Sequence, residues 1–198
     1  MKKIIIVALL ISFSYLILNA GGNTATGLRI GYNSSKFTGK DTPGKAVRNI
    51  PGFAIGGFIS FDLNKKFTVQ PEILLTTKGC LINTIGDIEQ ANVFIYLEIP
   101  ILVKMKFLPN AKLKPFIFGG PAISLNTLAI NDVGVLDDIK KFDCGFIVGA
   151  GVDYRRISFD IRYEKGLINF DEYAGNIDLK NQTISFLLGI PFYINGGK

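Results

Sequence analysis

Between Val93 and Phe107 the chain reads VFIYLEIPILVKMKF, and its oily and polar positions alternate. Val93, Ile95, Leu97, Ile99, Ile101, Val103, Met105 and Phe107 share one parity, while Glu98, Lys104 and Lys106 fall on the other. Successive side chains of a strand point to opposite faces, so this period of two predicts a strand with one continuous apolar face. The run outlasts the five or six residues usual in a soluble domain. It matches the roughly 9–11 residues that a tilted strand needs to cross a bilayer, with the oily face turned to lipid.

The same alternation recurs along the chain. In Thr26 to Asn33, Leu28, Ile30 and Tyr32 oppose Arg29, Gly31 and Asn33. Gly52 to Asp62 sets Phe53, Ile55, Ile59 and Phe61 against Ala54, Gly56, Phe58 and Ser60, and a short turn, Leu63 to Lys66, leads into the next strand. There Phe67, Val69, Ile73 and Leu75 oppose Thr68, Gln70, Glu72, Thr76 and Lys78. After Val93–Phe107 and a tight connection through Pro109-Asn110 comes Pro115 to Asn126, read with Ile117, Ile123 and Leu125 outward. Phe142 to Tyr154 alternates Phe, Cys, Phe, Val, Ala, Val and Tyr with a glycine-rich inner face, and Arg155-Arg156 turns the chain into Ile157 to Glu164. The last strand, Thr183 to Phe192, carries Ile184, Phe186, Leu188, Ile190 and Phe192 outward.

The connections alternate long and short: Ser34–Pro51, Gly79–Asn92, Thr127–Lys141 and Gly166–Lys180 are long, and the three between them are tight. Eight antiparallel strands with both ends on the short-turn side is the pattern of an outer-membrane barrel, whose periplasmic turns are short and extracellular loops long. Alternation alone fits a soluble barrel equally well. The strand ends discriminate, because Phe61, Phe67, Phe107, Tyr154 and Phe192 all fall on the outward parity at the short-turn ends, as an interfacial aromatic girdle would. Gly149 and Gly151 on an inner face are expected to leave room for a long neighbour such as Arg162. Against the reading stand Pro71, Pro100, Pro121 and Pro191 inside strands, where each removes a ladder donor; bulges or interruptions are expected there.

LEIPILVKMKF, KPFIFGGPAISL, FDCGFIVGAGVDY, ISFDIRYEKGLINF and TISFLLGIPF resemble successive strands of the PorT-like outer-membrane β-barrel family of Bacteroidetes-type bacteria. The resemblance runs from about Gly27 to Phe192 and is most specific at Gln70-Pro71-Glu72 and Glu98-Ile99-Pro100. It implies an outer-membrane location and an eight-stranded barrel and, for one branch, a part in protein secretion. One departure is that Tyr193 to Lys198 follow Phe192, where outer-membrane strands often end on the aromatic residue read by the assembly machinery.

The N-terminus fits an exported protein. Two lysines, an apolar run from Ile4 to Leu18 and small residues to Gly22 read as a signal peptide, which divides the chain into 1–22 and a barrel domain at 23–198. An uncleaved signal anchor is the alternative. At 198 residues and 48% apolar the chain suits one such domain. Its formal charge of +6 is scattered without base-stacking aromatics, so nucleic acid is not an expected partner. The expected partners are outer-membrane lipid, the barrel-assembly machinery and a periplasmic or extracellular protein. Lys36, Lys40, Lys45 and Arg48 in the first long loop read as solvated, with anionic lipopolysaccharide as the alternative contact.

There is no histidine, which removes the usual general base and the commonest metal ligand, and no metal or cofactor is expected. Glu72 and Glu98 project inward from neighbouring strands and form the one pair suited to acid/base work. Without a nucleophile or ligand set beside them, the stronger reading is a structural interior network of Glu72, Glu98, Lys104, Asp160, Arg162 and Glu164 that plugs the barrel. Lys78, Asp143 and Asp153 share that inward parity, and Arg162 is expected to reach Glu72 or Glu98 across the lumen. Cys80 and Cys144 are permitted to pair in an oxidising compartment, but the strand order places them apart. Gly119-Gly120-Pro121 and Gly149-Ala150-Gly151 are not followed by helices and do not form phosphate loops. A structural or interaction barrel without catalysis is therefore the leading reading; its rivals are a soluble periplasmic ligand-binding barrel, a lipid-modifying enzyme and a pore.

Overall fold

The computed structural model describes residues 24–39, 47–84, 88–131, 134–135, 142–168 and 180–195. The expected signal peptide, 1–22, lies outside them, as do Lys40 and Lys45 of the first long loop. The chain is all β: β1 (Thr24–Thr38), β2 (Val47–Arg48), β3 (Ile50–Asp62), β4 (Phe67–Thr84), β5 (Ile88–Lys106), β6 (Leu113–Asn131), β7 (Gly134–Val135), β8 (Phe142–Tyr154), β9 (Ile157–Gly166) and β10 (Lys180–Asn195). Eight long strands form the wall in the order β1, β3, β4, β5, β6, β8, β9, β10, and β10 pairs back onto β1, so the sheet closes. The two-residue β2 and β7 extend the ladders of β4 and β6. Closure pairs each of the eight wall strands on both sides, which is what a sheet immersed in hydrocarbon requires.

Parity sorts the side chains as the alternation predicts. Leu28, Ile30, Phe53, Ile101, Val103, Ile117, Phe146, Val148, Phe159 and Phe186 are exposed on the outer wall, while Arg29, Glu72, Glu98, Asp160 and Arg162 are buried inside. A surface that is oily outside and charged inside inverts a soluble barrel. Phe116 and Phe118 point into the bore, and Ile117 points out. Ile59, expected outward, is instead fully buried, at the Pro71 gap between β3 and β4.

Strands run further than hydropathy suggested. Gly79–Asn92, expected as a loop, is mostly hairpin: β4 continues to Thr84, β5 starts at Ile88, and they pair in register from Gly79↔Val93 to Thr84↔Ile88. Similarly, β1 enters the expected first loop as far as Thr38 and β6 enters the third as far as Asn131. The apolar band marks the hydrocarbon thickness; it does not mark where hydrogen-bonded pairing ends, and polar residues continue a ladder in water. On β6 a bulge hides the continuation. Ile95 pairs with Leu128 and Tyr96 with Asn126, so Thr127 is left over, and its hydroxyl donates to the Ile95 carbonyl at 2.9 Å. The extra residue flips the parity, turning Leu128 and Ile130 outward and Ala129 inward.

The prolines divide into both expected kinds. Pairing lapses for two residues per strand where Pro71 meets β3, where Pro100 meets β4 and where Pro121 meets β5, and the register resumes unchanged. Pro191 lies at a true bulge: it pairs with Gly27 while Tyr193 pairs with Thr26, leaving Phe192 unpaired and 68% exposed.

The turns at one end are tight: residues 63–66, 107–112 and Arg155-Arg156, with Arg155 left-handed at φ 55°. At that end Phe67, Phe107, Tyr154 and Phe192 are exposed and Phe61 is half-buried.

Candidate functional site: the charged lumen

The bore is filled in layers whose order follows from the register. Nearest the long-loop end, Phe37, Phe94 and Tyr96 pack together, with Phe94 5.8 Å from Phe37 and 6.5 Å from Tyr96 between ring centroids. The Asn181 amide donates to the Tyr96 hydroxyl at 3.3 Å and to Asp143 at 3.1 Å.

Below them Lys78 bridges two carboxylates, 2.5 Å from Glu98 and 2.6 Å from Glu164. The next layer holds two arginines against two acids. Arg162 forks onto Glu72, with Nη1 at 2.6 Å from Oε2 and Nη2 at 3.0 Å from Oε1, and its Nε donates to Asp160 at 2.7 Å. From β1, midway round the wall between β9 and β4, Arg29 donates to Glu72 at 3.2 Å and to Asp160 at 2.7 Å, and the Gln70 amide donates to Glu72 at 2.5 Å. Glu72 is 0% exposed. A carboxylate that far from water persists as an ion only with its lone pairs satisfied, and here the Arg162 fork, the Arg29 Nε and the Gln70 amide do so.

Each lumen cation also sits by an aromatic ring: Arg29 is 5.1 Å from the Phe58 centroid, Lys78 5.6 Å from Tyr96, Arg162 5.4 Å from Phe118 and Lys104 3.8 Å from Phe116. Glycine makes these approaches possible. A Cβ on Gly149 would overlap the Phe118 ring, and one on Gly151 the Phe116 ring, so the inner face of β8 makes room for phenylalanines on β6 rather than for Arg162. The Arg162 role belongs to another pair, since a Cβ on Gly189 would crowd the Arg29 guanidinium.

Glu72 and Glu98, the alternative acid/base pair, are not brought together. Leu74, not Glu72, lies opposite Glu98, and the two glutamates belong to separate layers with different cations. Lys104 lies lower still, 3.4 Å from the Gln70 amide oxygen and 3.7 Å from Asp153. The residue that sequence reasoning left out is Arg29; its inward parity was visible, but nothing local indicated that β1 faces Asp160 on β9. Cys80 and Cys144 are both free, on the non-adjacent strands β4 and β8.

Residues 19–172 match the model of the family described as outer membrane protein beta-barrel domain. The chain belongs to this family. Among solved structures this barrel domain is similar to Neisserial surface protein A, at 16% identity and TM-score 0.53, over 86% of this chain and 99% of that one. It is also similar to the outer membrane protein OprG from Pseudomonas aeruginosa, at 12% identity and TM-score 0.52, over 87% of this chain and 97% of that one. At such identities the likeness is one of fold. No curated protein matches significantly in sequence. Family and architecture place the barrel domain in the outer membrane, with its short turns periplasmic.

Proposed function

We propose that this is a closed, non-catalytic outer-membrane barrel with a structural or interaction role, held by lipid around its wall and meeting a protein partner at one rim. The observation that supports it is the paired layer of Arg29, Glu72, Asp160 and Arg162, which crosses the bore between β1, β4 and β9. Beside and above that layer, among the described residues, the cavity lined by Glu98, Arg162 and Glu164 is about 10 Å³, no more than one water needs. So full a bore supports a plug over a pore or an active site at Glu72 or Glu98. The strand resemblance to the PorT-like family supports service to protein secretion as the specific role, with the barrel acting as a membrane-embedded platform.

The reading is tested by Glu72→Gln and Glu98→Gln in cells lacking the native protein. Each variant should support function in proportion to the amount of folded barrel, and the purified wild type should show no conductance steps in planar bilayers. A hydrolytic or lipid-modifying activity lost in either variant at unchanged folded protein refutes it, as does steady conductance.

A further inference from the structure

Below the charged layers the bore opens towards the periplasmic turns into a cavity of about 260 Å³. That is far more than the ~10–15 Å³ one water needs, and just under the roughly 300 Å³ at which clefts for larger ligands begin. All eight wall strands contribute to its lining, and the charge is one-sided. Lys104, Lys106, Lys114, Arg155 and Arg156 face it with two carboxylates, Asp62 and Asp153. Asp62 is already engaged by the Thr68 hydroxyl at 2.5 Å and Lys106 at 2.9 Å.

The cavity's deepest cation is under-paired. Lys104 is only 4% exposed; it donates to the neutral Gln70 amide at 3.4 Å and lies 3.8 Å from the Phe116 ring centroid, but its closest carboxylate among the described residues is Asp153 at 3.7 Å. Lys78, equally buried, has two carboxylates at 2.5 and 2.6 Å. Burying an ammonium without close counter-charge is costly, and an anion entering the cavity would relieve that cost at its floor. A second unsatisfied group points the same way: Ser158, 7% exposed and lining the cavity, has a buried hydroxyl without a hydrogen-bond partner.

We propose that this vestibule binds a phosphate-type oxyanion entering from the periplasm, with Lys104 and Ser158 at its floor and Lys114, Arg155 and Arg156 around its mouth. Lys104 supplies a charged donor and Ser158 a hydroxyl donor to the anion. The arginines, on a tight turn, focus it towards the opening. The anion is either free phosphate or the headgroup of an inner-leaflet phospholipid; both carry the same chemistry.

The test is thermal unfolding of the full barrel in neutral detergent with inorganic phosphate against chloride at matched ionic strength. Wild type should gain stability saturably with phosphate. Lys104→Met should fold, as judged by far-UV circular dichroism, and bind at least about tenfold more weakly, the expected loss for a hydrogen bond to a charged group. Ser158→Ala, a smaller change, should weaken binding by a lesser factor, and it decides the matter if Lys104→Met does not fold. Repetition in nanodiscs separates the sources: if phosphatidylglycerol abolishes the phosphate response that persists in phosphatidylcholine, the ligand is the headgroup, and otherwise it is the free anion. No phosphate-specific gain in the wild type, or equal gains in wild type and Ser158→Ala, overturns the proposal.

Discussion

Removing the Arg162 guanidinium tests the reading of the lumen most directly. In the native layer Arg29 and Arg162 balance Glu72 and Asp160, two against two. Arg162→Met removes the donors at 2.6 and 3.0 Å from Glu72 and at 2.7 Å from Asp160, leaving one cation for two buried carboxylates. Breaking a buried pair in this way costs about 3–5 kcal/mol, most of it from the orphaned charge rather than from the lost attraction. Adding Glu72→Gln leaves Arg29 against Asp160, already in contact at 2.7 Å, so the layer is balanced again. The double variant should therefore recover at least about 2 kcal/mol of the loss, a coupling at the upper end of those seen between contacting residues. Glu98→Gln is the control. Its carboxylate pairs with Lys78, so its effect should add to that of Arg162→Met with far less coupling. The measurement is reversible urea unfolding in lipid vesicles, followed by tyrosine fluorescence, because the chain has seven tyrosines and no tryptophan. If the Arg162→Met and Glu72→Gln losses simply add within about 0.5 kcal/mol, the two side chains do not share a balanced buried layer.

The outer wall makes a separate prediction. Val148→Arg, on an exposed outward position, should cost about 2–4 kcal/mol in a bilayer if that position lies at mid-membrane, checked by the same unfolding assay. A wild-type chain that stays folded and soluble without detergent or lipid would contradict it. Gly149→Val should destabilise the barrel by crowding Phe118, and Phe118→Ala in the same chain should relieve part of the loss. Oxidation should not join Cys80 to Cys144: a non-reducing gel after treatment with copper phenanthroline should show no mobility shift, and in folded protein a maleimide should label half-buried Cys144 faster than buried Cys80.

What the sequence determined by itself was whatever a period of two can carry. Strand direction and hydrogen bonding send alternate residues to opposite faces whatever the rest of the chain does. The inward parity of Glu72, Asp160 and Arg162 and the outward parity of Ile101 and Val148 were therefore legible from neighbouring residues alone. The alternation of tight and long connections then led to eight strands and a closed wall. The same local logic failed where one residue is inserted, at Thr127 on β6, and where strand pairing runs on past the apolar band, over Gly79–Thr84 and Ile88–Asn92, since neither event changes composition.

Which inward residues meet depends on how the sheet closes. Arg29 and Asp160 are 131 positions apart and touch because closure brings β1 and β9 to the same bore. Stagger between strands assigns Glu72 to the arginines and Glu98 to Lys78, although both glutamates read alike in the chain. Parity is a property of each strand, whereas contact across a lumen depends on the curvature and shear of the whole sheet. That is also why the under-paired Lys104 and the basic vestibule beneath it emerged only once the barrel was closed.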